Sequence, residues 1–152
     1  MSIELTNEAH FEVDEAAIQR LATYCLDALR IHPDADMAIM LVDEAVMEQL
    51  HVQWMGEPGP TDVLSFPMDE LRPGNDDEVT PAGLLGDVVV CPQVAEVQAE
   101  TVGHSTMDEI FTLTAHGILH LLGFDHADEE EEREMFSLQR DLLIGFKLSE
   151  RQ

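Results

Sequence analysis

The run His116-Gly117-Ile118-Leu119-His120-Leu121-Leu122-Gly123-Phe124-Asp125-His126 constrains this 152-residue chain more than any other stretch. His116 and His120 stand four apart, so on a helix both imidazoles leave the same face and can share one metal ion. Gly123 can take a positive φ, which ends the helix and turns the chain back so that His126 approaches from outside it. Three neutral imidazoles with an open fourth position make the donor set of a catalytic zinc site. With seven histidines in the chain, the same spacing arises by chance at about the 1–2% level. The expectation is one Zn2+ per chain, on His116, His120 and His126. The other histidines, His10, His32, His51 and His104, are isolated or in loops and read as ordinary surface or capping residues.

The rest of the chain supplies the frame. Residues 3–5 begin an alternating apolar pattern, and residues 37–42 (MAIMLV), 63–66 and 84–90 are further strand-like runs. Between them, Asp14 caps a helix with Ala17, Ile18, Leu21, Cys25, Leu26 and Leu29 at helical spacing. Asp43 caps a helix expected to bury Val46, Met47, Leu50 and Trp54. Residues 69–81 (DELRPGNDDEVTP) form a loop-like acidic stretch expected at the surface. Pro92 suits the first turn of another helix. Thr106 and Glu109 read as a capping box for the longest helix, the one that carries the histidines. A charged run over residues 128–132 opens a final amphipathic helix with Met135, Phe136, Leu138, Leu142 and Leu143. Strands alternate with helices, so the class is α/β (α+β). It is a single domain over residues 1–152, a roughly four-stranded mixed sheet with about five helices.

Charge and cysteines narrow the setting. Acidic residues number 32 against 7 basic ones, a net charge of −25, which by itself argues against a polyanionic partner. Arg133, Arg140 and Lys147 recur every seven residues and form one stripe if the last helix persists. Cys25 and Cys91 sit in no C-x-x-C pair, which fits a reducing compartment. No run approaches the ~18 apolar residues of a spanning helix, and the first residues lack a signal-peptide pattern. These observations predict a soluble, cytoplasmic protein with no membrane partner, and leave the number of copies in its assembly open.

The histidine spacing matches that of the metzincin proteases, but Gly117 stands where those enzymes carry their general-base Glu. Peptide hydrolysis by the usual route therefore lacks its carboxylate. Together with Thr61-Asp62-Val63-Leu64-Ser65-Phe66-Pro67 and Leu85-Gly86-Asp87-Val88-Val89-Val90, the histidine segment resembles the YbeY-type bacterial endoribonucleases, also called rRNA maturation factors. The resemblance runs from about Leu50 to the final helix. It implies a single-strand-specific, metal-dependent endoribonuclease acting in 16S rRNA 3′-end maturation and ribosome quality control, with zinc on His116, His120 and His126. It also implies single-stranded rRNA and the small ribosomal subunit, or a ribosomal protein, as partners. The family commonly has an Asn and an Arg before the TDVLSFP motif, where this chain has His51 and Met55, so that Arg is not carried over.

Three further residues are candidates for the site. Asp125 either orients an imidazole through its other nitrogen or stabilises the turn. Ser65 and Asp87 lie at strand positions that could border the cleft; otherwise Ser65 is a plain strand hydroxyl and Asp87 a capping or loop-fixing carboxylate. No general base is evident, and either water or the RNA's own 2′-hydroxyl could attack phosphorus. Two other classes fit the residues: a non-catalytic zinc-binding ribosome-assembly factor, and a metallohydrolase of another substrate class.

Overall fold

The four apolar runs pair into one mixed sheet in the computed structural model, which describes residues 2–69, 71–74, 78 and 82–151. Strands β1 (Ser2–Asn7), β2 (Asp36–Leu41) and β4 (Leu84–Val90) run parallel, and β3 (Val63–Pro67) closes one edge antiparallel to β4. The order is β1-β2-β4-β3. Parallel neighbours need crossover connections, and these come from the helices: α1 (Glu15–Ala28) joins β1 to β2, and α2 (Glu44–Met55) follows β2. Then come α3 (Pro92–Val102), α4 (Thr106–Leu121) and α5 (Glu129–Glu150). The mixed four-stranded sheet with five helices is the architecture expected from the sequence.

Helix starts follow side-chain chemistry. The carboxylates of Asp14, Asp43 and Asp128 accept from the amides of Ala17, Val46 and Glu131, satisfying donors that a first helical turn leaves unpaired. Pro92 occupies the first turn of α3. The histidine-bearing helix is capped one residue earlier than expected. Ser105, not Thr106, accepts from Asp108 N, while Glu109 turns away to His104. Two adjacent hydroxyl residues make that choice ambiguous in sequence. The longest helix is also a different one: α5 has 22 residues and α4 has 16.

α4 packs against β3, β4, α1, α3 and α5, and Ile110, Ala115, Ile118 and Leu119 on it are fully buried. Asp108, Thr112, His116 and His120 keep partial exposure at a spacing of four, the row on one helix face that reaches solvent. On the other face of the sheet a smaller cluster joins Met47 of α2 to Leu64, Val89 and Cys91. α2 buries less than expected: Met47 is buried and Leu50 half-buried, but Trp54 is 60% exposed, its ring meeting Phe66 edge-on at 5.9 Å. Of the loop expected over residues 69–81, positions 70, 75–77 and 79–81 lie outside the described residues. Leu71 in that stretch joins the main core, and Gly74 N donates to Leu29 O.

An irregularity in the β2–β4 register decides where the start of β4 faces. Asp36 pairs with Leu84 but Met37 pairs with Gly86, so Leu85 is an extra residue. The insertion lets Leu85 enter the same core as Val88 and Val90, which strict alternation forbids. Asp87 is left pointing to the opposite face.

Lys147 of α5 meets Asp108 of α4 at 2.8 Å. That hydrogen bond is the main reason the Asp108 carboxyl is held below its ordinary value, with burial opposing it. Lys147→Met is expected to lower stability at pH 7 by at most about 1 kcal/mol, since the pair is partly solvated. A depressed carboxyl pKa stabilises the fold above its unfolded value and loses that effect as pH falls through the folded one. The difference between the two proteins in thermal melts should therefore close below about pH 4. A gap that persists at pH 2 would assign Lys147 a packing role instead.

Candidate metal centre

The three histidines converge. One ligating nitrogen from each of His116, His120 and His126 lies within 4.8 Å of the others, and ring centroids are 4.6 to 5.9 Å apart. The pair on α4 follows from helical spacing, and the third arrives by a turn. Past the cap residue Leu122, Gly123 N donates to His120 O and Phe124 N to Leu119 O, with Gly123 at φ 91°. This paired closure, with a left-handed residue after the cap, is the Schellman motif. Arg72 donates to Leu122 O at 3.3 Å, satisfying a carbonyl at the same helix end. Asp125 Oδ1 then accepts from His126 N at 2.7 Å, an Asx contact that fixes the turn. The carboxylate therefore meets the backbone of His126.

The donor set suits a borderline-soft divalent ion. His116 Nε2 and His120 Nε2 are 3.1 Å apart, a separation at which two lone pairs repel unless a proton or a cation lies between them. Burial first, and then the neighbouring His116 and His126, push the His120 imidazole below its ordinary value, against an opposite pull from Asp125 and the Phe124 backbone. A neutral ring is the ligating form.

The walls come from β3 and α2. A cleft of about 380 Å³ is lined by Met55, Asp62, Val63, Leu64, Ser65 and Pro67 together with the three histidines. It lies along the outer edge of β3, the strand whose other side is paired with β4. Ser65, which lines the cleft, donates its hydroxyl to Gly117 O at 2.9 Å and so ties the sheet to the helix beside His116. Gly117 has a packing reason to be glycine. A Cβ there would stand 2.6 Å from Val88 Cγ1 and 3.2 Å from Ser65 Oγ, so α4 can approach β3 and β4 only without it. Asp87, considered for the cleft, is not in it. Strand alternation puts it on the face opposite Val88, where it lines a separate depression with Glu4, Asp36 and Ala38.

Three of the four remaining histidines serve local structure. His51 contacts Gly59 O at 2.9 Å and Glu57 at 3.3 Å, tying down the loop after α2. His104 meets Glu109, and His32 Nδ1 accepts from Asp34 N. Met55 lines the cleft with a thioether. Two residues of the site were absent from the sequence reading. Asp62 lines the cleft and accepts from Val63 N, Thr61 and Gln98. Gln139 of α5 contacts His116 at 2.8 Å; its only signal in sequence is an amide on an otherwise apolar stripe.

The model of the family described as endoribonuclease YbeY matches residues 3–147. Endoribonuclease YbeY of Clavibacter sepedonicus is 76% identical over 151 residues, covering 99% of both chains. The protein of that name from Thermobifida fusca is 61% identical over 149 residues, 98% of this chain and 96% of its own. Among solved structures, the solution structure of TM1509 from Thermotoga maritima superposes with a TM-score of 0.66 at 26% identity, over 98% of this chain and 91% of that one.

Proposed function

The chain belongs to the endoribonuclease YbeY family, and from that premise we propose that it cleaves single-stranded RNA with one zinc ion held by His116, His120 and His126. Its place in the cell, on this reading, is the cytoplasm, in 16S rRNA 3′-end maturation and ribosome quality control, as a single metal-dependent hydrolase domain. The observation that carries the proposal is the convergence of three imidazole nitrogens within 4.8 Å on the floor of an open cleft. A zinc ion there would supply Lewis acidity and acidify water near neutral pH.

The chain's own residues do the positioning. His116 and His120 are held by the most enclosed helix of the fold, and the hydroxyl of Ser65 fixes that helix against β3. Asp125 fixes the backbone that presents His126. Asp62 is the only carboxylate among the described residues lining the cleft, and both its oxygens already accept hydrogen bonds. Gly117 leaves the helix without the glutamate a zinc protease uses, which disfavours peptide substrates. The separating experiment compares zinc-loaded and chelator-stripped protein on single-stranded RNA, a peptide and a small phosphodiester. Zinc-dependent cleavage of RNA alone is the expected result. Cleavage of none of them by the loaded protein would favour a non-catalytic assembly factor, and cleavage of another substrate a different hydrolase.

Affinity for naked RNA is expected to be weak. Of the seven basic residues, Arg20 is paired with Glu150, Lys147 with Asp108, and Arg72 is committed to Leu122 O. Few cations remain to displace counterions from phosphates, and 32 carboxylates oppose the approach. Binding of a short single strand should therefore fall only shallowly with salt, and targeting should rest on a ribosomal protein. A steep negative slope equivalent to about five or more phosphate contacts would overturn this account of the surface.

A further inference from the structure

Along the inner face of α5 the buried residues are Met135, Gln139, Leu142 and Phe146, one helical stripe in which an amide replaces an apolar side chain. Gln139 is only 7% exposed. Burying an amide is unfavourable unless it is hydrogen-bonded, so an unforced choice at this position would be Leu or Met. The bond it makes reaches across to α4, where Gln139 Oε1 lies 2.8 Å from His116 Nδ1. The other two buried polar side chains among the described residues, Glu109 and Thr114, bond within five residues of themselves. Gln139 alone bonds a residue 23 positions away.

We infer that Gln139 is a positioning residue of the metal centre, holding His116 in the tautomer and orientation that turn its Nε2 toward His120 and His126. The inference rests on the metal-centre reading above and extends it to a residue outside the ligand set. An amide oxygen can only accept, so the proton of a neutral His116 ring must sit on Nδ1. The lone pair of Nε2 is then left facing the other two imidazoles, with His120 Nε2 at 3.1 Å. From another side the Phe136 ring stacks on His116 at 5.7 Å and 24°, limiting ring rotation. Acceptors bonded to the remote nitrogen of a ligating histidine characteristically set both its tautomer and its direction. Here the acceptor is a neutral amide, so a carboxylate of the same reach should serve at least as well.

The test uses zinc affinity, measured by competition with a chelator, and the protonation pattern of the His116 ring in 15N-detected NMR of the zinc-free protein. Gln139→Met keeps the volume and removes the acceptor, and Gln139→Glu restores it. Wild type is expected to show the Nδ1–H form of His116. Gln139→Met should bind zinc about 10–100-fold more weakly, and Gln139→Glu should recover wild-type affinity or exceed it. An Nε2–H form of His116 in wild type overturns the inference without any variant, should Gln139→Met fail to fold. Equal affinity in wild type and Gln139→Met overturns it too, as does a loss that Gln139→Glu does not restore, since packing alone would then account for the residue. In each of these cases wild type still binds zinc and the metal-centre reading stands. Wild type that binds no zinc would remove both.

Discussion

His116→Ala is expected to lower zinc-dependent RNA cleavage by at least about 1000-fold, with zinc no longer retained through purification. Two imidazoles are one ligand short of the three that catalytic zinc sites draw from protein. Losing the Lewis acid forfeits several kcal/mol of charge stabilisation on the phosphoryl oxygens, and about 4 kcal/mol already corresponds to three orders of magnitude. The same change strands Gln139 Oε1 in a buried position, which should cost a further 1–3 kcal/mol or so of fold stability. His126→Ala separates the two effects. His126 is exposed, so its loss should match the fall in activity with little change in melting temperature. Initial rates on one RNA and elemental analysis of both variants check the expectation. Rates equal to wild type would point to a contaminating nuclease.

The largest effect on stability is expected from Gly86→Ala. Gly86 sits at φ 131°, where L side chains are strained by about 1–3 kcal/mol. A Cβ there would fall 2.1 Å from Phe66 O and 2.9 Å from Pro67 Cα, both backbone atoms of the paired strand β3. Neither can rotate away, so β3 must separate from β4, which adds an overpacking penalty of about 1–3 kcal/mol. Roughly 3 kcal/mol or more in total corresponds to a fall of about 6–12 °C in melting temperature for a chain of this size. Gly103→Ala is the control: Gly103 also has positive φ, 89°, but nothing lies within 4 Å of its Cβ position. It should cost about 1 kcal/mol. Equal melting of the two variants would mean that the irregular stretch of β4 relaxes around a methyl group.

What could be read in the sequence was mostly local. Helical spacing and one glycine brought His116, His120 and His126 together, because i, i+4 geometry and a left-handed turn act over a few residues. The caps at Asp14 and Asp43 are equally short-range. Asp87 escaped because Val88, Val89 and Val90 beside it are all buried, so the apolar run does not show which face of the strand meets which layer. Gln139 escaped because its partner is set by how α5 lies on α4. α2 was expected to bury Val46 and Trp54, yet Met47 is its one fully buried residue. In sequence Gly117 shows only that a glutamate is missing, whereas in the structure side chains of the sheet fill the space beside it.

The three ligands do not stand on equal ground. Two belong to α4, which is enclosed on several sides, and they can separate only if the core opens. The third follows a turn whose residues are largely exposed, and such a segment opens locally at a small fraction of the global free energy. An ion held by all three would come and go through the fluctuation of that one turn, without opening the helix that carries the other two. A chelator would meet the ion with His126 swung aside while the rest of the fold stays native, so metal loss and unfolding should run on separate clocks.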